Sequence, residues 1–110
     1  MIEIDCHISV RNDGVRFLGA TQTELIREIK QTGSLSGAAK KLKISYQHAW
    51  TMIAEMNRIA PQPIVSKQRG GANGGGACVS EYGERILLEY QIIEDQVKNL
   101  IRQINAEINF

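Results

Sequence analysis

One stretch in the first half of the chain constrains its fold more than any other. Residues 33–59 have the sequence GSLSGAAKKLKISYQHAWTMIAEMNRI. Apolar side chains recur there at spacings of three and four, which predicts two amphipathic helices. The apolar faces consist of Leu35, Ala38, Ala39 and Leu42 in the first helix and Ala49, Ile53, Met56 and Ala60 in the second. Because only a very short break separates them and small alanines allow a close, steep crossing, the stretch predicts a helix-turn-helix.

Serines stand where these two helices begin. Ser45 precedes the second helix, and its side-chain oxygen is suited to cap it; either Ser34 or Ser36 caps the first. Lys43 lies in the break between the helices, at a position where glycine is common. A positive φ there would strain the lysine backbone.

The outward face of the second helix is polar. It carries Tyr46, Gln47, His48, Thr51, Glu55 and Arg58. These side chains suit base edges and phosphates: Gln47 is able to bond adenine through two atoms, with His48 or Thr51 on neighbouring bases. Trp50 is expected in the core or packed behind a phosphate contact. No second ligand accompanies His48 at helical spacing, so no metal site is predicted.

The charge of the chain is concentrated near this stretch. The whole sequence has a formal net charge of +1, but residues 40–69 carry +5, against −1 for residues 1–39 and −3 for residues 70–110. Such a local surplus fits binding of a polyanion by one face. An ordinary solvated surface explains the surplus equally well, so the charge alone leaves both interpretations open.

The first 18 residues predict a β-hairpin. Apolar and polar residues alternate strictly from Ile2 to Val10, as in a half-buried strand, with Cys6 on the inward face as a packed, inert thiol. Asn12-Asp13-Gly14 predicts a tight turn, and a second strand follows it over residues 15–18.

A first helix follows the hairpin. Thr21 and Glu24 have the spacing of a capping box that would start it; it runs to about residue 31, and Gly33 is suited to end it in the left-handed conformation. The core positions of this helix are Leu25, Ile26 and Ile29.

Residues 64–80 predict a second hairpin, a wing directly after the helix-turn-helix. Its tip is rich in glycine and is flanked by Lys67 and Arg69, so that backbone N–H groups can approach a phosphate closely. A P-loop is disfavoured because no Lys-Ser/Thr pair and no helix follow the last glycine, and a dinucleotide fingerprint fails for the same lack of a helix. An idle hairpin tip is the bland alternative.

Residues 81–110 predict a long last helix that dimerises. Apolar residues recur at spacings of four and three, a heptad pattern, at Ile86, Tyr90, Ile93, Val97, Leu100 and Ile104. A helix of this length spans about 40 Å, beyond the reach of a body of this size. We therefore expect its distal half to pair with a second copy of the chain. Folding back on the N-terminal hairpin is an alternative for the first half alone.

The sequence thus predicts a mainly α fold with small β elements: a winged helix-turn-helix domain over residues 1–80, followed by the dimerisation helix. It shows no signal peptide and no apolar stretch long enough to span a membrane. The two cysteines match no metal or disulfide pattern, which favours a cytoplasmic protein with reduced thiols. No constellation of catalytic groups is present, so neither an enzyme nor a cofactor is predicted.

With these residues in view, the chain resembles a known family. The segments GSLSGAAKKLKISYQHAWTMIAEMN and RGGANGGGACVSEYGERILLEY are similar to the N-terminal DNA-binding domain of ModE, the molybdate-responsive bacterial regulator, over about residues 21–90. GSLSGAA and the start of the last helix are similar, more distantly, to LysR-type DNA-binding domains.

The resemblance implies a homodimeric, sequence-specific transcriptional regulator that binds double-stranded DNA. The positions that match the family's DNA contacts are Ser45, Tyr46, Gln47, His48 and Thr51 on the helix and the wing around residues 69–76. Together with the basic and polar residues nearby, the predicted DNA-contacting residues are Ser34, Ser36, Lys40, Lys43, Ser45, Tyr46, Gln47, His48, Thr51, Arg58, Lys67, Arg69, Gly70, Gly71, Asn73 and Gly74. ModE senses molybdate through separate C-terminal domains, and this sequence ends after the long helix; we therefore expect no molybdate binding here. The alternative function is a protein-interaction module that uses the winged helix and the long helix to bind another regulatory protein.

Overall fold

The computed structural model describes residues 1–68 and 76–110. The elements, in chain order, are β1 (Val10–Asn12), β2 (Val15–Leu18), α1 (Ala20–Thr32), α2 (Leu35–Leu42), α3 (Tyr46–Ile59), β3 (Val65–Gln68), β4 (Gly76–Val79) and α4 (Glu81–Glu107). Strands β1 and β2 form one antiparallel pair, and β3 and β4 form another. The predicted mainly α fold with small β elements is confirmed.

The core lies between α1, α2 and α3, as the periodicity predicts. The fully buried side chains include Leu25, Ile26, Ile29, Leu35, Ala38, Ala49, Ile53 and Met56. The first half of α4 closes the core through Leu87. Gly83, in the first turn of α4, allows this closure, because a Cβ there would lie 2.5 Å from the carbonyl oxygen of Ile64.

The N-terminal hairpin is shorter than predicted. Its turn is confirmed, with positive φ at Asp13 (49°) and Gly14 (80°). The long first strand is wrong, since of residues 2–10 only Val10 belongs to a strand. The Asn12 side chain donates a 2.7 Å hydrogen bond to the carbonyl of Ile59 and so ties the hairpin to the end of α3.

Residues 1–9 lie along α4 instead of pairing with β2. The backbone N–H of Ile4 donates to Asn105 Oδ1 at 2.7 Å, and Asn105 Nδ2 donates to the Ile4 carbonyl at 3.1 Å. Tyr90 Oη donates to the Ile8 carbonyl at 3.4 Å. Cys6 is exposed, so the prediction that it packs inside is also wrong. The alternation correctly marks an extended segment, but β2 has only four residues and cannot pair with nine.

The start of α1 also differs from the prediction. The N-cap is Gly19, which has no side chain to cap with, and Thr21 already lies inside the helix. Thr23, buried in the core, donates through Oγ1 to the carbonyl oxygens of Gly19 and Ala20, both at 3.0 Å. The predicted end is confirmed, with Gly33 in the left-handed conformation at φ 72°.

The molecule is elongated because α4 extends beyond the body. Its principal extents are 57 × 30 × 20 Å and its radius of gyration is 16.3 Å. Along the distal half of α4, residues 1–9 line one side, so the expectation that this half meets nothing of its own chain is wrong in part. No helix within the described residues has both the length and the apolar character needed to cross a bilayer.

Candidate nucleic-acid interface

The joint between α2 and α3 has the geometry that the sequence predicts. Ser34, not Ser36, caps α2: its Oγ accepts from the Gly37 N–H at 2.7 Å. Ser45 caps α3 by accepting from the His48 N–H at 3.0 Å. Lys43 adopts the left-handed conformation at φ 58° and ψ 40°, which confirms the strained turn. The joint is therefore fixed by the Ser45 cap and the strained Lys43, whereas Ser34 caps the other end of α2.

The N-terminal half of α3 presents an exposed polar face. Tyr46 is 42% exposed, and Gln47, His48 and Thr51 are exposed as well. Thr51 Oγ1 donates to the carbonyl of Gln47 at 3.0 Å, so its hydroxyl proton is already used and the oxygen can act only as an acceptor. Among the described residues nothing bonds to the Gln47 side chain, which therefore offers both a donor and an acceptor, the pair that bidentate recognition of adenine requires.

Farther along α3 the face is charge-neutral. Arg58 Nη2 donates to Glu55 Oε2 at 2.8 Å, and Arg58 Nε donates to Glu55 Oε1 at 3.4 Å. This hydrogen-bonded arginine lowers the pKa of the Glu55 carboxyl, and the carboxylate raises the pKa of Arg58. Arg58 was predicted to contact DNA; in this structure its charge is already matched by a neighbour on the same helix.

The lysines around the joint differ in their surroundings. Lys41 lies 3.8 Å from Glu28 Oε2 of α1 and is directed to the body of the domain. Lys40 and Lys43 are exposed, and among the described residues no carboxylate lies within 4.0 Å of either ammonium. These two lysines thus leave positive charge uncompensated beside the start of α3.

The second hairpin lies against both helices of the motif. The backbone N–H of Ala77 in β4 donates to the Gly33 carbonyl at 3.1 Å, and Ser34 forms an isolated bridge with Gly76. On β3, the ammonium of Lys67 lies 4.0 Å from the centroid of the Trp50 ring. The other residues predicted for the wing tip lie outside the described residues; they are Arg69, Gly70, Gly71, Asn73 and Gly74.

Asn57 joins α3 to the wing, a role that sequence reasoning missed. Its Oδ1 accepts from the N–H of Ile64 at 2.7 Å and of Val65 at 3.3 Å, and its Nδ2 donates to the Val65 carbonyl at 2.8 Å. The only mark in the sequence is a polar residue at a half-buried position near a helix end. Asn57 reaches the backbone of residues 64 and 65 only because the chain turns back toward α3 after Pro63, and no sequence pattern predicts the direction of that turn.

The residues predicted for dimerisation are divided between the inside and the outside of the protomer. Tyr90 is 3% exposed and packs almost entirely inside the protomer. Ile86, Val97 and Ile104 are half-buried, with Val97 beside residues 3–8, whereas Ile93 and Leu100 are 43% and 55% exposed.

Two apolar surfaces remain exposed on α4. The first is an open apolar groove of about 350 Å³, lined by Val10, Phe17, Leu18, Tyr82, Ile86, Tyr90 and Ile93 together with Arg85 and Glu89. From Ile93 the apolar surface continues to Leu100 on the same side of the helix. The second surface consists of Leu88 and Ile92, which lie about 140° and about 100° around the helix from Ile93.

Together, these elements define a winged helix-turn-helix domain: three helices, an antiparallel hairpin after the motif and a long final helix. The comparisons with known proteins agree. The transcriptional regulator ModE of Haemophilus influenzae is 37% identical over 87 residues, which are 79% of this chain and 34% of that protein. The DNA-binding transcriptional dual regulator ModE of Escherichia coli K12 is 36% identical over 77 residues, 70% of this chain and 29% of that protein. The chain thus spans about a third of the length of these relatives, and the resemblance to the ModE DNA-binding domain is confirmed.

Solved structures share the fold. The full-length LTTR LysG of Corynebacterium glutamicum superposes with a TM-score of 0.58 over 82% of this chain and 30% of that chain, at 20% identity. The predicted, more distant likeness to LysR-type DNA-binding domains is confirmed at the level of the fold. No protein-family model matches the chain.

Proposed function

We propose that this chain is a sequence-specific DNA-binding transcriptional regulator. α3 enters the major groove and reads bases through Gln47, His48 and Thr51, while Lys40, Lys43 and Lys67 contact phosphates. The observation that carries the proposal is the juxtaposition of an exposed polar half of α3 with lysines that have no carboxylate within 4.0 Å in the described part of the chain. The ModE relatives, named as transcriptional regulators, support it.

The readout is tested by replacing Gln47 with alanine. Loss of a bidentate contact lowers the affinity for the preferred site by about 1–3 kcal/mol and relaxes the preference at one base pair. Gln31→Ala is the matched control, because Gln31 is an exposed glutamine on α1, outside the motif. Equal weakening of the preferred site and of random duplex by Gln47→Ala would exclude base readout by this residue.

The regulator acts as a homodimer that pairs through the Ile93 and Leu100 side of α4. This surface is continuous with the apolar groove beside the hairpin, whereas Leu88 and Ile92 form a separate pair that does not line the groove. Burial of the larger apolar surface yields the larger hydrophobic stabilisation. A dimer supplies two recognition helices related by a two-fold axis, which half-sites in DNA require.

An antiparallel arrangement of the two α4 helices fits this surface best. Ile86, Ile93 and Leu100 are spaced seven residues apart, so a two-fold axis at Ile93 places Leu100 of each copy against Ile86 of the other. The groove flanks only the first half of α4, and Leu100 lies on the projecting half. Only antiparallel helices bring the projecting half of one copy to the groove of the other.

The dimer is tested with two adjacent isoleucines. Ile93→Glu is expected to yield monomers in analytical ultracentrifugation, because a buried carboxylate opposes association. Ile92→Glu is the matched control, since Ile92 is similarly exposed (51%) but its side chain projects about 100° around the helix from that of Ile93. A dimer that survives Ile93→Glu and dissociates with Ile92→Glu would move the interface to the other surface.

The alternative protein-interaction module makes a different prediction. It has no use for unmatched lysines beside α3, so its binding would not weaken with the steep salt dependence of phosphate contacts. Filter or fluorescence titration of DNA at two salt concentrations separates the two functions. The expected lack of molybdate binding stays a prediction, which equilibrium dialysis with molybdate tests.

A further inference from the structure

We propose that Trp50 is a positioning residue that holds the Lys67 ammonium beside the recognition helix for phosphate contact. The inference rests on the proposed DNA-binding function and assigns to Trp50 a role beyond packing. The ammonium of Lys67 lies 4.0 Å from the centroid of the Trp50 ring, within cation–π distance. Trp50 is half-buried on α3 and packs against the core, while Lys67 is exposed on β3. The Trp50 ring, held by the core, therefore restricts the rotamers of the Lys67 side chain.

The ring also fixes where the charge lies. Asn57 ties the base of β3 to α3 through the backbone of residues 64 and 65. Two residues farther along β3, Lys67 meets a side chain seven residues nearer the N-terminus of α3. β3 thus runs back along α3 toward the half that presents Gln47 and His48. The contact between Lys67 and the Trp50 ring therefore places the Lys67 ammonium beside the exposed polar half of α3.

A cation held on one side by a ring remains open to an anion on the other. Among the described residues no carboxylate lies within 4.0 Å of the Lys67 ammonium. Its side chain loses little further freedom on meeting a phosphate, because the ring has already restricted it. The affinity for DNA is therefore expected to gain from Trp50 only when Lys67 is present, and the reverse.

A double-mutant cycle tests this dependence. In the full chain, Trp50→Leu is expected to weaken DNA binding by about two- to fivefold, the equivalent of an exposed cation–π contact. In the Lys67→Met background the same change is expected to have almost no effect. Trp50→Phe keeps an aromatic face and retains part of the affinity. The slope of binding against salt falls by about one charge in Lys67→Met and stays unchanged in Trp50→Phe.

Controls separate positioning from loss of packing. Met52→Ala replaces another half-buried side chain of α3 that packs against the core, and its effect on binding is expected to add to that of Lys67→Met without coupling. In the free protein, the Lys67 methylene protons are expected to show an upfield ring-current shift in NMR spectra, which Trp50→Leu abolishes. The single tryptophan of the chain makes this shift unambiguous.

The outcomes distinguish the two proposals. Coupling between Trp50 and Lys67, together with the ring-current shift, supports the positioning role. If the wild-type chain binds DNA but Trp50→Leu and Lys67→Met are additive, or the shift is absent, the positioning role is overturned and the DNA-binding function stands. If the wild-type chain shows no salt-dependent binding to DNA, both proposals are overturned.

Discussion

In Gly83→Ala, helix propensity and packing have opposite effects on the free energy of unfolding, and the structure predicts that the packing loss is the larger. Gly83 lies in the first turn of α4, where alanine is the better helix former by up to about 1 kcal/mol. An added Cβ would lie 2.5 Å from the Ile64 carbonyl oxygen, 2.9 Å from Val79 Cγ1 and 3.0 Å from Ile64 Cγ2. Propensity alone therefore predicts a gain in stability, and the contact predicts a loss.

The contact has no easy way to relax. The Ile64 carbonyl accepts a 2.8 Å hydrogen bond from the Ser80 N–H, and Ser80 Oγ donates to the Pro63 carbonyl at 2.7 Å. Either α4 moves outward or these bonds lengthen. Overpacking of this kind costs about 1–3 kcal/mol, and a weakened hydrogen bond adds about 1 kcal/mol. After the propensity gain is subtracted, we expect Gly83→Ala to lower the free energy of unfolding by about 1–3 kcal/mol.

Urea denaturation at a fixed protein concentration measures this loss, since dimerisation would make the midpoint depend on concentration. The control is Gln31→Ala, a change to alanine on an exposed face of α1 where only propensity acts. If Gly83→Ala unfolds at the same urea concentration as the wild type, or at a higher one, then Gly83 does not pack closely on Ile64 and Val79.

Three further changes test other contacts. Lys43→Gly is expected to raise the free energy of unfolding by about 0.5–1 kcal/mol, because it removes left-handed strain at φ 58°. In the same variant we expect the slope of DNA affinity against salt to fall by about one charge. An unchanged slope would show that Lys43 does not contact a phosphate. Asn57→Ala leaves two backbone N–H groups and one carbonyl without their partner. We expect it to lower the free energy of unfolding by about 1–3 kcal/mol in chemical denaturation. A loss below about 0.5 kcal/mol, half the mean contribution of one such bond, would contradict the hydrogen bonds between Asn57 and residues 64 and 65. Asn105→Ala removes both bonds to Ile4, so hydrogen exchange at the Ile4 amide is expected to become faster while exchange in α1 stays unchanged; an unaltered Ile4 rate would show that residues 1–9 are held by other contacts.

Local chemistry in the sequence was sufficient where the determinants are near in the chain. The Ser45 cap, the Asp13-Gly14 turn and the Gly33 helix end each depend on residues within a few positions of one another, and each is confirmed. The same is true of the two helices of the motif, whose apolar periodicity marks the faces that meet in the core.

Predictions failed where a partner from elsewhere in the chain decides the outcome. The alternation of residues 2–10 indicates an extended segment, but Asn105, 101 residues away from Ile4, determines what that segment contacts. Tyr90 fits the heptad pattern and is nevertheless buried, because the hairpin and residues 1–9 cover that side of α4. Periodicity identifies apolar positions, and it does not say which of them the chain itself covers.

The central claim is that the exposed half of α3 reads DNA sequence as part of a symmetric dimer. Selection of bound duplexes from a random DNA pool, at two salt concentrations, tests this claim most directly. We expect enrichment of two inverted half-sites whose centres lie about one helical turn, 10–10.5 base pairs, or a multiple apart, with enrichment retained at the higher salt. Binding without enrichment, lost uniformly as salt rises, would contradict it and reduce the surface to a non-specific polyanion contact.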